Sequence, residues 1–199
     1  MKQLICNFLK LFITGIFLSG TVSAQSYVDG YLTHAITVHY PGHTIKAHVK
    51  PAEHVSLSND KWYYWFSGNL INSTQGGYSG KLLNGDYQDY YMNKNLKEAG
   101  LFDKGLKNGN WKSWMENGIL TNQYYFKEGK KDGLYLKYDS TGRISEKGYY
   151  ANDLLSGKQE TVTADSTRVI YYKDGKIIEK KSIIPKFIYK ILPKKAKKQ

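Results

Sequence analysis

Gly85, Gly109, Gly133 and Gly157 stand 24 residues apart, and the same step links Tyr78, Phe102, Phe126 and Tyr150. It also links Tyr87, Trp111 and Tyr135; Tyr90, Trp114 and Tyr138; and Leu96, Leu120 and Ile144. With 19 glycines in 199 residues, three further glycines in register have odds of roughly 1 in 1,000. A repeat of this length excludes most globular architectures, because each unit must be one supersecondary element that buries its face on the next. The fourth unit is worn: Gln159 and Arg168 replace an aromatic residue and a leucine, while Val162 and Ile170 keep apolar weight nearby. A fifth, shifted unit is expected ahead of the others, since Trp62 and Trp65 before Ser67-Gly68-Asn69-Leu70 mirror Trp111 and Trp114 before Asn117-Gly118-Ile119-Leu120.

Each unit reads as a β-hairpin. Asn110–Met115 and Ile119–Phe126 are strand-like around the turn signal Asn117-Gly118, and Glu128-Gly129-Lys130-Lys131-Asp132-Gly133 reads as a polar reversal into the next unit. Thr141-Gly142 and Asp174-Gly175 repeat the turn chemistry, with glycines where positive φ is needed. One hairpin cannot bury its own face, so the units must stack. The predicted fold is all-β: an elongated antiparallel β-meander of stacked hairpin repeats with a short C-terminal basic helix. At about 4.8 Å per strand, five two-strand units reach about 50 Å. Eighteen Tyr, four Trp and only four Pro agree with a β-rich chain of many tight turns.

Four segments follow. Residues 1–24 read as an export leader: Lys2 and Lys10 accompany a Leu11–Leu18 apolar core, and Val22-Ser23-Ala24 fits small-x-small cleavage before Gln25. That core is shorter than the roughly 20 residues of a spanning helix. The expected destination is the periplasm, the outer surface or the medium. Cys6, the only cysteine, leaves with the leader, which removes disulfides and thiolate chemistry together. Residues 25–52 form an amphipathic hairpin, 53–179 the repeats, and 180–199 a basic amphipathic tail.

The formal charge of +12 is segregated: the tail holds eight lysines and no acid, whereas 25–179 carries 19 basic against 17 acidic residues. A near-neutral middle cannot offer a broad nucleic-acid face, so no nucleic-acid partner is expected. All five histidines, His34, His39, His43, His48 and His54, fall within 21 residues. A turn at Tyr40-Pro41-Gly42-His43 pairs residues whose numbers sum to 83. It places Ile36, Val38, Tyr40, Ile45, Ala47 and Val49 on one face with His34 and His43, and Thr37, His39, Thr44, Lys46 and His48 on the other. His39 and His48 then lie about 13 Å apart, too far to share an ion, so no metal or other cofactor is expected. The chain lacks HExxH, a phosphate loop and a dinucleotide fingerprint, and Gly77-Tyr78-Ser79-Gly80-Lys81 lacks the closing glycine of a nucleophile elbow. Asp86, Asp89, Asp103, Asp132 and Asp139 fall mostly in or beside turns, where carboxylates cap the backbone. No catalytic residue is nominated, and the chain is not expected to be an enzyme.

Asp132-Gly133-Leu134-Tyr135, Tyr138, Thr141-Gly142-Arg143-Ile144, Glu146 and Gly148-Tyr149-Tyr150 form a pattern that resembles the bacterial, antitoxin-like variant of the MORN repeat. Asn108-Gly109-Asn110-Trp111 through Asn117-Gly118 to Tyr124-Tyr125-Phe126 matches it too. The resemblance covers 78–179 well and 53–77 loosely. It implies an interaction or membrane-associating scaffold, with neutralisation of a partner protein as a further reading, and it brings no catalytic residues. Lys61-Trp62-Tyr63-Tyr64-Trp65-Phe66-Ser67-Gly68-Asn69-Leu70 is similar to wall-binding aromatic repeats, which implies that Trp62, Trp65, Trp111 and Trp114 could stack on sugars or quaternary ammonium groups. The alternative is that these four pack units together. In the tail, Pro185 and Pro193 bound about two helical turns with Lys186 and Lys190 on one side and Ile184, Phe187, Ile188 and Ile191 on the other. Lys181, Lys186, Lys190, Lys194 and Lys195 are therefore candidate contacts to an anionic surface, lipid or polymer. The alternative is that the tail caps the open edge of the last repeat. The expected function is an exported scaffold whose partner is a protein or an anionic envelope surface.

Overall fold

A computed structural model describes residues 33–51, 55–163 and 165–179. They form thirteen strands and no helix: β1 (His34–Tyr40), β2 (His43–Lys50), β3 (Trp62–Ser67), β4 (Leu70–Gln75), β5 (Lys81–Tyr91), β6 (Leu96–Asp103), β7 (Leu106–Trp114), β8 (Leu120–Lys127), β9 (Lys130–Tyr138), β10 (Ile144–Ala151), β11 (Leu154–Val162), β12 (Thr167–Lys173) and β13 (Lys176–Ile178). The sheet runs β1-β2-β5-β6 and then in chain order to β13, every pair antiparallel, with β3 and β4 off this path. This is the expected open meander. The export leader and the basic tail, with its expected helix, lie outside the described residues.

The first hairpin has the expected register, from His34↔Val49 to Tyr40↔His43. Gly42 at φ 92 allows Pro41-Gly42 to close a two-residue turn. Alternation then buries Val38, Ile45, Ala47 and Val49.

The glycine column works differently from expectation. Glu128-Gly129 alone reverses the chain, with φ positive at both residues, and β9 begins at Lys130 with Gly133 inside it. The same two-residue turn recurs at Lys104-Gly105, Asn152-Asp153 and Asp174-Gly175. Gly85, Gly109, Gly133 and Gly157 instead occupy strand interiors at φ 106, 67, 137 and 74, beside register shifts in the pairing with the preceding strand. They are bulge residues, not turn residues. Two residues earlier, the carbonyls of Leu83, Lys107, Lys131 and Leu155 accept the N–H groups of Gly105, Gly129, Asp153 and Gly175 at 2.7, 2.9, 2.9 and 2.9 Å. Each unit's turn is thereby tied to the strand of the unit before it, and the 24-residue period is the period of that tie.

The aromatic columns interleave into one ladder. Ring centroids are 5.0 Å apart for Tyr64–Phe102, 4.9 Å for Phe102–Trp111, 6.2 Å for Trp111–Phe126, 5.8 Å for Tyr124–Tyr135 and 4.9 Å for Tyr135–Tyr150. Gly100 and Gly148 make room for it, since a Cβ at either would overlap the rings of Trp111 or Tyr135.

The shifted unit expected at 53–77 does not join the stack. The hairpin β3–β4 pairs with β5 only at Trp65↔Leu82 and Phe66↔Lys81, then crosses the sheet face so that the Tyr64 N–H reaches the Gly105 carbonyl at 2.8 Å. Tyr64, Phe66 and Ile71 pack on the core of Ile45, Ala47, Val49, Leu83, Tyr87, Phe102 and Trp111, and the Ile71 N–H donates to the Tyr40 hydroxyl at 2.9 Å. The hairpin is a second layer. A single open sheet leaves its apolar face wet, so the chain covers the N-terminal half with β3–β4 and places β2 beside β5.

Candidate functional site

The strongest constellation lies at the sheet end that carries the β1–β2 and β5–β6 turns. Thr44 and Tyr90 are cross-strand partners, as are Lys46 and Gln88, and alternation puts them on the face opposite the core. Thr44, Lys46 and Tyr90, together with Tyr91, Met92 and Lys94, line a groove of about 390 Å³. Lys46 Nζ stands 5.7 Å from the centre of the Tyr90 ring, whose hydroxyl donates to Gln88 Oε1 at 2.7 Å. Met92 is 70% exposed at the rim. His39 Nδ1 lies 3.1 Å from Thr44 Oγ1 beside it. Lys94 occupies the turn position that Gly118 and Gly142 fill one and two units later, at φ 69 against 85 and 80.

Beneath the groove sits Asp89, expected beside a turn but buried in β5, with only 4% of its surface exposed. Its Oδ1 lies 2.7 Å from His43 Nδ1 and its Oδ2 3.1 Å from Lys97 Nζ. The His43 ring stacks on Tyr40 at 4.8 Å and 9°. Lys97 reaches Asp89 because it bulges out of the β5–β6 register between Asp89↔Glu98 and Tyr90↔Leu96. Tyr91 joins the two parts: Lys97 Nζ is 5.9 Å from its ring, its hydroxyl donates to the Trp114 carbonyl at 2.9 Å, and it also lines the groove. Asp89 and its two basic neighbours thus hold the floor on which the groove stands. His48 Nδ1 faces the Asp86 carbonyl at 3.4 Å, and His54 lies outside the described residues. Among the described residues no three His, Asp or Glu side chains converge as metal ligands would.

The opposite sheet end is charge-balanced. Lys61 pairs with Glu128 at 2.8 Å and Lys130 with Asp60, around a groove of about 330 Å³ that also takes in Lys127, Asp132 and Asn152. Hydrogen bonds from Lys130 and Ser58 pull the Asp60 carboxyl down to about 2.

The four tryptophans part company. Trp62 is 52% exposed. Trp65 is half-buried and donates Nε1–H to Thr74 Oγ1 at 2.9 Å, and Trp114 is half-buried on β7. Trp111, a candidate stacking residue, is 2% exposed and offers no face to a ligand. Its ring is already occupied, because Lys107 Nζ sits 3.8 Å from its centre and 3.0 Å from Glu98 Oε1. Burial pushes that ammonium below its ordinary value, and Glu98 works against the shift. Lys181, Lys186, Lys190, Lys194 and Lys195 lie outside the described residues.

One exposed column carries the period unannounced: Leu101, Tyr125 and Tyr149, 24 residues apart, stand on the outer face at 40, 43 and 52% exposure. The same step that found the core columns reveals it, and only burial separates the two kinds. No family model matches this chain, and no curated protein matches it.

Proposed function

We propose that the chain is an exported, non-enzymatic repeat scaffold that binds at the cell envelope, through a protein partner or an anionic surface. The observation that carries the reading is the exposed outer column Leu101, Tyr125 and Tyr149, with Leu134 beside it, on a long open sheet. Exposed apolar surface that recurs in register along a sheet gives a partner a repeated contact, and contiguous apolar patches are where interaction sites are found. The segregated lysines of 180–199 add attraction to anionic surfaces, and the 24-residue hairpin period supports placement with the bacterial variant of the MORN repeat. Co-sedimentation of residues 25–199 and 25–179 with anionic vesicles and with cell-wall polymer, at low and high salt, tests it. Salt-sensitive binding of the longer chain to vesicles assigns the tail; binding of both chains regardless of salt assigns the sheet. Retention by no envelope component at all would count against the reading.

A second reading, a carbohydrate or cell-wall module, is favoured by the exposure of Trp62. Sugar polymer should then shift the tryptophan emission, and Trp62→Ala should remove that shift.

A further inference from the structure

We propose that the groove lined by Lys46, Tyr90, Met92 and Lys94 binds an anionic sugar unit, a saccharide ring carrying a carboxylate or phosphate group. The proposal rests on the envelope-binding reading above and names a ligand class for it. Three observations carry it. The first is charge. Lys46 and Lys94 line the groove with no carboxylate among its lining residues, whereas three other grooves, of about 330, 280 and 240 Å³, each include Asp or Glu. No carboxylate pairs with Lys46 or Lys94 among the described residues, although eight ion pairs form elsewhere on the sheet. Two unneutralised ammonium groups in one concavity leave a local positive field, and an anion is what that field collects.

The second is shape. At about 390 Å³ the groove falls within the roughly 300–1,000 Å³ range of small-molecule sites, and Tyr90, Tyr91 and the Met92 thioether supply an apolar wall beside the lysines. A sugar ring offers a C–H face to such a wall and an acid group to the ammoniums. A bare inorganic anion would use only half of the groove.

The third is the backbone. Two of the three equivalent turns place glycine at the left-handed position, and the turn beside the groove places Lys94 there at φ 69. A β-carbon is disfavoured in that conformation, and although other turns of the sheet accept one there, Lys94 is set apart because both of its repeat equivalents, Gly118 and Gly142, are glycine. Lys94 puts an ammonium at the mouth of the groove, which a glycine cannot do.

The test uses the full-length chain, expressed with its leader and purified as the host releases it. Binding is followed by calorimetry with a galacturonate oligomer, a sugar-phosphate oligomer and a neutral galactose oligomer of matched length. Co-sedimentation with wall polymer and with anionic vesicles runs in parallel. The acidic oligomers should bind at least tenfold more tightly than the neutral one, and the preference between carboxylate and phosphate identifies the source. Lys46→Gln and Lys94→Gly should each weaken acidic-sugar binding about tenfold. Lys94→Gly should also raise the melting temperature by about 2–4 °C, so lost binding cannot be ascribed to misfolding. Equal affinity for acidic and neutral oligomers overturns the proposal, as does acidic binding that neither variant changes. Vesicle binding that needs Lys46 and Lys94, without sugar binding, replaces the sugar by a lipid headgroup and overturns it too. If wall polymer or vesicles retain the variants as they do the native chain, the groove is wrong and the scaffold reading stands. If nothing is retained, both fall.

Discussion

Glycine does two distinct jobs in this sheet, and substitution separates them. At Gly109 the backbone is left-handed, φ 67, with open space where a Cβ would go, so Gly109→Ala is expected to cost about 1–2 kcal/mol from conformation alone. At Gly100 the backbone is ordinary for any residue, but a Cβ would overlap the Trp111 ring that packs against it. Gly100→Ala must push Trp111 out of the core, an overpacking cost of about 3 kcal/mol. Urea denaturation of the two variants checks the order; equal costs would mean that Trp111 yields freely. Asp89→Ala strips a buried carboxylate from His43 and Lys97, whose side chains are 24% and 37% exposed. Both bases can turn to water, which holds the expected loss to about 2 kcal/mol, below that of a fully buried pair. A stability unchanged within error would show that the cluster is not what supports the end of β5.

Pairs of charged groups join elements that the backbone leaves apart. Asp60 with Lys130 and Lys61 with Glu128 fasten the chain just before β3 to the β8–β9 turn, and Lys137 with Glu146 spans β9 and β10. Hydrogen bonds from Lys130 and Ser58 hold the Asp60 carboxyl at about 2, and hydrogen bonding and charge from Lys61 keep Glu128 below the ordinary carboxylate range. At Glu146 burial acts upward, but hydrogen bonds from Lys137 and Tyr135 outweigh it and the net shift is downward. A carboxylate whose folded value is depressed adds stability above its unfolded value, and that stability is lost as pH falls through the folded one. The melting temperature is therefore expected to be flat between about pH 5 and pH 9 and to decline from pH 5 toward pH 2, where Asp60 protonates last. Because Asp60 and Glu128 face solvent, added salt should shrink the decline. A thermal scan that stays level to pH 3 would show that these ties carry no weight. Such cross-links are hard to read from sequence, since Asp60 and Lys130 are 70 residues apart.

The whole sheet is unevenly supported. Its N-terminal half has two layers, with β3–β4 laid over β5, β6 and β7, and most of the buried residues lie there. At the far end every residue of β13 is exposed, and β12 has none fully buried. Repeat sheets open from their weakest unit, so amide hydrogen exchange should be slowest in β5–β7 and fastest in β12–β13. Uniform protection from β5 to β13 would instead mean that the meander opens as one body. The lysine-rich residues 180–199 follow directly on the end expected to open first. The groove lies on this better-supported half, along β2 and β5 and the β5–β6 turn that carries Lys94.

Much of this architecture is written locally and could be read without coordinates. The 24-residue step, the hairpin units, the open meander and the register of the first hairpin all follow from alternation and turn chemistry within a few neighbouring residues. Other features join distant parts of the chain, and only the tertiary structure decided them. Whether a glycine in the column turns the chain or bulges a strand depends on a two-residue shift against the neighbouring strand, which periodicity cannot register. Trp62 and Trp111 carry the same local signature, yet one is exposed and the other lies beneath Lys107, because β3–β4 folded over the sheet instead of extending it. His43 and Asp89 meet across 46 residues of sequence. A period names the residues that recur, but burial depends on which layer covers them, and that is set by packing between units.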